Sequence, residues 1–267
     1  MDEPFLILAA TLASRMLAVA AVVVIASLLV ERVGPVVGAM VASLPISAGP
    51  AYLFLALDHS PVFVAESAVS SLLPVASVVP FGLTYIAVAR QAGTVVSLGA
   101  ALAAWVASLV LLAQRSWTMP EALVLTLAFY AVGIAATGPA RRLRVRMSVR
   151  AGPLDIAVRA GTVMVLMAAV TLAGRWFGPR IAGLIALVPI VFSSLILIMQ
   201  PRVGPDPMRA VLANSLVGMA SYGVALAIIN LAAVPLGSGP ALLGALATIA
   251  LWNGGFILWP RLRRRPA

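Results

Sequence analysis

The sequence predicts an all-α polytopic membrane protein with about nine transmembrane helices in a 5+4 inverted-topology repeat. A proline breaks the second helix of each repeat. Three observations carry that expectation. Hydrophobic residues make up 63% of the 267-residue chain and charged residues 10%, with a mean hydropathy of +1.11. A soluble domain carries about 45–50% apolar and about 25% charged residues. The arginines gather between the apolar runs. Finally, "GPVVGAMVASLPISAGP" (Gly34 to Pro50) is answered 144 residues later by "GPRIAGLIALVPIVFSS" (Gly178 to Ser194).

A spanning helix needs about 20 predominantly apolar residues. That length places spans at 10–31, 35–57, 62–89, 94–114, 119–138, 154–175, 179–200, 207–232 and 239–260. The chain then divides into repeat one (1–138, five helices), an Arg-rich loop (139–153), inverted repeat two (154–260, four helices) and a basic tail (261–267).

The positive-inside rule orients these spans. With the 139–153 loop in the cytoplasm, that side holds Arg32, Arg90, five loop arginines, Arg202, Arg209 and four tail arginines. The outside holds Arg115, Arg175 and Arg180. The N-terminus is therefore expected outside and the C-terminus in the cytoplasm, in a bacterial cytoplasmic membrane. Asp2 and Glu3 with no basic residue before Pro4 give no expectation of a secretory signal.

The net charge is +10, and all 18 basic residues are arginine. Their position at segment ends reads as a topology signal, with the loop and tail touching anionic lipid. No soluble basic module is present to bind nucleic acid, so none is expected as a partner.

The offset of 144 holds without a gap beyond the quoted stretches. It pairs Arg15 with Arg159, Pro35 with Pro179, Pro45 with Pro189, Pro61 with Pro205 and Ser71 with Ser215. Five helices separate equivalent points, and an odd number inverts the second copy. Inverted repeats of this kind mark many secondary transporters. The counterpart of helix 119–138 is expected to be missing, since the sequence stops soon after Pro260.

Pro45 and Pro189 fall near the middle of their spans. Each removes a helical hydrogen bond and clashes with the preceding turn, and a freed carbonyl in hydrocarbon costs several kcal/mol unless protein or water satisfies it. Interrupted segments in matching places of two halves point to a transport site. The expected substrate-binding set is Pro45, Ser47, Gly49, Ser70, Ser71, Pro189, Ser193, Ser194, Asn214 and Ser215. The bland alternative is a pair of packing kinks, with serine stripes acting as interhelical glue at about 0.6 kcal/mol per bond.

Glu66 is the ion-coupling candidate, because intramembrane carboxylates are costly and usually functional. It also suits a plain interfacial carboxylate near a helix N-terminus. Arg15 and Arg159 either snorkel to the interface or serve as partners for an anionic group or for carbonyls freed at the breaks. Asn253 is a further buried-polar candidate in the last span.

Enzyme chemistry has little to stand on. There is no cysteine, His59 is the only histidine, and no paired carboxylates or nucleotide-binding glycine motif occur. No enzyme activity, cofactor or metal is expected. The expected function is a small secondary transporter for a small neutral, amphipathic or singly charged solute, alternating access at a midplane site between the two broken helices. The alternatives are a non-transporting assembly or lipid-handling protein and a passive channel. The architecture resembles, at the level of fold alone, five-plus-five inverted-repeat carriers such as the drug/metabolite transporter and bile-acid symporter classes. In the latter the broken helix comes late in each repeat rather than second. No motif of either class is present, so no family is assigned.

Overall fold

The computed structural model describes residues 48–143 and 152–262 with a few positions between 13 and 21, the side chains of 159 and 257–262 excepted. Most of the spans at 10–31 and 35–57, and Arg15, Pro45 and Ser47, lie outside the described residues. Among the described residues 89% are helical and no strand occurs.

The helices are α1 (Ala48–Asp58), α2 (Pro61–Val88), α3 (Thr94–Ala113), α4 (Met119–Ala136), the single turn α5 (Gly138–Arg141) and α6 (Pro153–Ala186). After them come α7 (Ile190–Val203), α8 (Pro205–Met219), α9 (Ser221–Leu236) and α10 (Ser238–Leu262). Among the described residues five stretches are long and apolar enough to cross a membrane: Pro61–Val88, Thr94–Ala113, Met119–Ala136, Pro153–Val203 and Pro205–Leu236. That fits a multi-pass integral membrane protein.

Local sequence explains the boundaries. Ser60 accepts from the Phe63 backbone N–H and Pro61 fills the first turn of α2, the usual N-terminal chemistry. Thr118 and Glu121 form a capping box at the start of α4. Gly178 (φ 77°) and Pro179 bend α6, where the left-handed backbone costs glycine nothing.

The centre of the bundle is α2, packed against α3, α4, α6 and α9. Its most apolar window is 72% buried, against 28% for α3 and 22% for α4, although α3 is the more apolar sequence. That ordering follows from a hydrocarbon surround, which leaves the purely apolar helices outside and places polar groups within the protein. Pro74 and Pro80 interrupt the α2 ladder. Neighbouring side chains donate to α2 carbonyls nearby: Trp105 to Pro74 (3.2 Å), Tyr130 to Val75 (3.1 Å) and Thr126 to Leu72 (3.2 Å).

The two ends of the bundle differ. At one end Arg90 makes a fork to Asp206 (2.7 and 3.0 Å), and Arg209 reaches both Asp206 (2.9 Å) and the Ile86 carbonyl (2.8 Å). Beside them Arg202 grips the buried Asp155 with both terminal nitrogens, and Tyr85 donates to Gln200 (2.7 Å). These contacts tie together the C-terminal ends of α2 and α7 and the N-terminal ends of α6 and α8. At the opposite end Arg180 donates to the Ala113 carbonyl (2.6 Å), and His59 stacks on Phe63 next to Gly174.

Candidate functional site

The run from Pro179 to Val203 passes from one end of the bundle to the other, and it breaks part-way. α6 stops at Ala186, Leu187 and Pro189 leave helical geometry, and α7 starts at Ile190. At 1.5 Å per residue the break lies about 15 Å from the Gly178 bend.

The backbone accounting at the break is specific. Leu187 turns its N–H to the Ile185 carbonyl, so Gly183 loses the donor that a continuing helix would have supplied. Ser71 of α2 takes its place, donating to the Gly183 carbonyl at 2.8 Å and accepting from the Tyr52 hydroxyl at 2.7 Å. A chain Tyr52–Ser71–Gly183 therefore links α1, α2 and α6. The approach is so close that a Cβ on Gly183 would lie 2.4 Å from the Ser67 carbonyl oxygen and 3.0 Å from the Ser70 Cβ. On the far side of the break, the Pro189 carbonyl accepts from both the backbone N–H (2.9 Å) and the hydroxyl (2.8 Å) of Ser193. Ser194 donates to Val191 (3.0 Å).

A cavity of about 500 Å³ lies beside the break, between α1, α9 and α10. Gly49, Tyr52, Leu187, Tyr222, Ala225 and Ile249 are among the residues that line it. Among the described residues no charged side chain lines it, and Tyr52 and Tyr222 carry the only side-chain polar atoms. The volume falls within the roughly 300–1,000 Å³ of small-molecule sites.

The predicted residues separate into groups. Gly49 lines the cavity. Ser70, Ser71 and Pro189 gather at the break, and Ser193 and Ser194 serve its backbone. Asn214 is exposed and donates to the Ala210 carbonyl of its own helix (2.8 Å). Ser215 is buried with no hydrogen-bond partner for its hydroxyl, as are Ser67 and Thr171. Glu66 is exposed on α2. Arg159 lies in α6, its side chain outside the described residues. Asn253 is buried and donates to the Ile249 carbonyl (3.0 Å).

Tyr52, Gly183 and the aliphatic cavity lining escape sequence reasoning. The signal for Gly183 lay in the second quoted stretch, where a glycine six residues before the proline permits backbone contact. Outside the spans, the Asp206 carboxylate holds the Arg90 guanidinium above its ordinary value, chiefly through their hydrogen bonds. No cluster of three metal-ligating side chains occurs among the described residues.

Comparison with known proteins returns no match from any protein-family model, curated protein or solved structure.

Proposed function

We propose that the protein is a small secondary carrier that binds a neutral or amphipathic solute beside the broken segment and exposes it alternately to the two sides of the membrane. The observation that carries this reading is the break at Leu187–Pro189, whose freed Gly183 carbonyl is held by Ser71 and whose Leu187 lines the cavity. Irregular backbone at membrane depth occurs where protein buries it or where it lines a cavity, and interrupted helices are the common construction of transport sites.

The 5+4 inverted repeat, with an outside N-terminus and a cytoplasmic C-terminus, belongs to the same proposal. Helix starts at Pro61 and Pro205, and again at Thr94 and Ser238, stand 144 residues apart and support it. The Arg-rich end is the cytoplasmic side in this reading, where the loop at 139–153 and the tail at 261–267 touch anionic lipid. Glu66 is the proposed coupling carboxylate.

Thermal unfolding of purified protein across a panel of neutral and amphipathic solutes tests the carrier reading. At least one solute should raise the midpoint, and Pro189→Ala should change that response. If no solute stabilises the protein while a partner protein co-purifies with it, the assembly-factor reading replaces this one.

A further inference from the structure

We infer that the cavity is a slot for a single hydrocarbon chain, admitted sideways from the bilayer, so that the solute is an amphiphile with a lipid-like tail. This rests on the carrier reading above and specifies its substrate class.

The shape of the lining is the first argument. Along α10 the lining runs from Gly239 to Ile249, a separation of ten residues, or about 15 Å at 1.5 Å per residue. It starts where α10 starts, at the end of the bundle remote from the Arg90–Asp206 pair, and it reaches Tyr222 and the break at Leu187. The cavity is thus long, parallel to the helices, and reaches the broken segment at its inner end.

The second argument is the mouth. Leu53, Leu243 and Leu246 all line the cavity, yet they remain 50%, 68% and 51% exposed. Leu243 and Leu246 lie about 8–12 Å into α10, within the roughly 30 Å hydrocarbon layer. A cavity edged by exposed leucines at that depth opens to lipid rather than to water. Among the described residues its lining also offers no charge to hold a headgroup, which is then left at the interface near Gly239.

The third argument is the open volume itself: about 500 Å³ of apolar space costs stability when empty, which points to an occupant.

The experiment uses full-length protein in phosphatidylcholine/phosphatidylglycerol vesicles doped with a phospholipid carrying a diazirine at its chain end, followed by peptide mapping after photolysis. Labelling is expected on Ala225 and Ile249, well behind the mouth. Ala225→Phe should lower that interior labelling about tenfold or more, because the ring displaces chain carbons whose burial carries the affinity. Labelling of the exposed Leu111 and Val124 should stay constant, which reports a folded, inserted protein. Ile249→Trp is the second filling variant, for use if Ala225→Phe lowers surface labelling as well.

Interior labelling that is absent in the parent protein overturns the inference. So does interior labelling that survives both filling variants. A labelled slot without flux of any chain-bearing solute in proteoliposomes refutes the carrier and leaves the slot standing. Flux of a polar solute through a protein with an unlabelled slot does the reverse.

Discussion

Replacing Ser71 with alanine tests the account of the helix break most directly. Ser71 is fully buried, and its hydroxyl is the only group joining Tyr52 to the Gly183 carbonyl. The variant leaves a buried phenol and a buried carbonyl without partners and removes little packing volume. An unpaired buried polar group costs about 1–3 kcal/mol, whereas interhelical bonds in membrane proteins average about 0.6 kcal/mol because freed groups find substitutes. The Tyr52 hydroxyl sits at the end of a side chain and can turn. The Gly183 carbonyl cannot, since the backbone approach to Ser67 fixes it. We therefore expect a loss of about 2 kcal/mol, a fall of roughly 4–8 °C in Tm for a chain of this size. The assay is thermal unfolding in detergent, with Ser70→Ala, half-buried on the same helix, as the matched control at under about 0.5 kcal/mol. Tyr52→Phe should cost less than Ser71→Ala, and the double variant should show a coupling of about 0.5 kcal/mol or more. Equal losses for Ser70→Ala and Ser71→Ala would refute the reasoning.

Two further outcomes follow from close contacts and ion pairs. Gly183→Ala drives a Cβ into the Ser67 carbonyl oxygen and should cost about 1–3 kcal/mol by overpacking. Gly99→Ala meets nothing within 4 Å on an exposed turn of α3 and should be neutral or stabilise by up to about 1 kcal/mol; thermal midpoints that do not separate the two would remove the argument for backbone contact at the break. At the Arg-rich end, Asp155→Asn should lower Tm more than Arg90→Gln, because the Asp155 side chain is 4% exposed and that of Arg90 is 55% exposed. In 1 M salt, where the screening length is about 3 Å, the Arg90→Gln effect should vanish while that of Asp155→Asn persists, and a reversed order of salt sensitivity would count against the geometry.

The sequence displayed α2, α3 and α4 almost to the residue, because uninterrupted apolar runs between Pro61 and Ala136 end at serine, glycine, proline and arginine. It also displayed the Pro189 break, since proline cannot donate and the ladder must fail near it. Ser71 was legible as a candidate through its place on a polar stripe of α2. Its partner was not, because Gly183 stands 112 residues away and only the folded chain brings the two together. The cavity was invisible for a related reason. Ala48, Ala225 and Ile249 are unremarkable in an apolar run, and open volume arises only where three small faces meet. Asn214 shows the opposite limit: it lies on the polar stripe of its helix, yet its side chain turns back to Ala210 on an exposed face.

The distribution of hydroxyls around the break bears on what the protein recognises. Ser71, Ser193 and Ser194 all donate to backbone carbonyls, and the acceptor face of Ser71 is taken by Tyr52. The hydroxyls of Ser67, Thr171 and Ser215 are buried without partners, but none of the three lines the cavity. A polar solute would find almost nothing there to replace its hydration, and burying a polar group without a partner is unfavourable. If the cavity is the binding site, discrimination must come from shape. One methylene in an apolar pocket is worth only about 1–3 kcal/mol, so affinity should climb with each added carbon until the slot is full and then level off. Changes of headgroup, left outside at the interface, should matter far less than changes of chain length, an order that a series of amphiphiles of graded length in the photolabelling competition would expose directly.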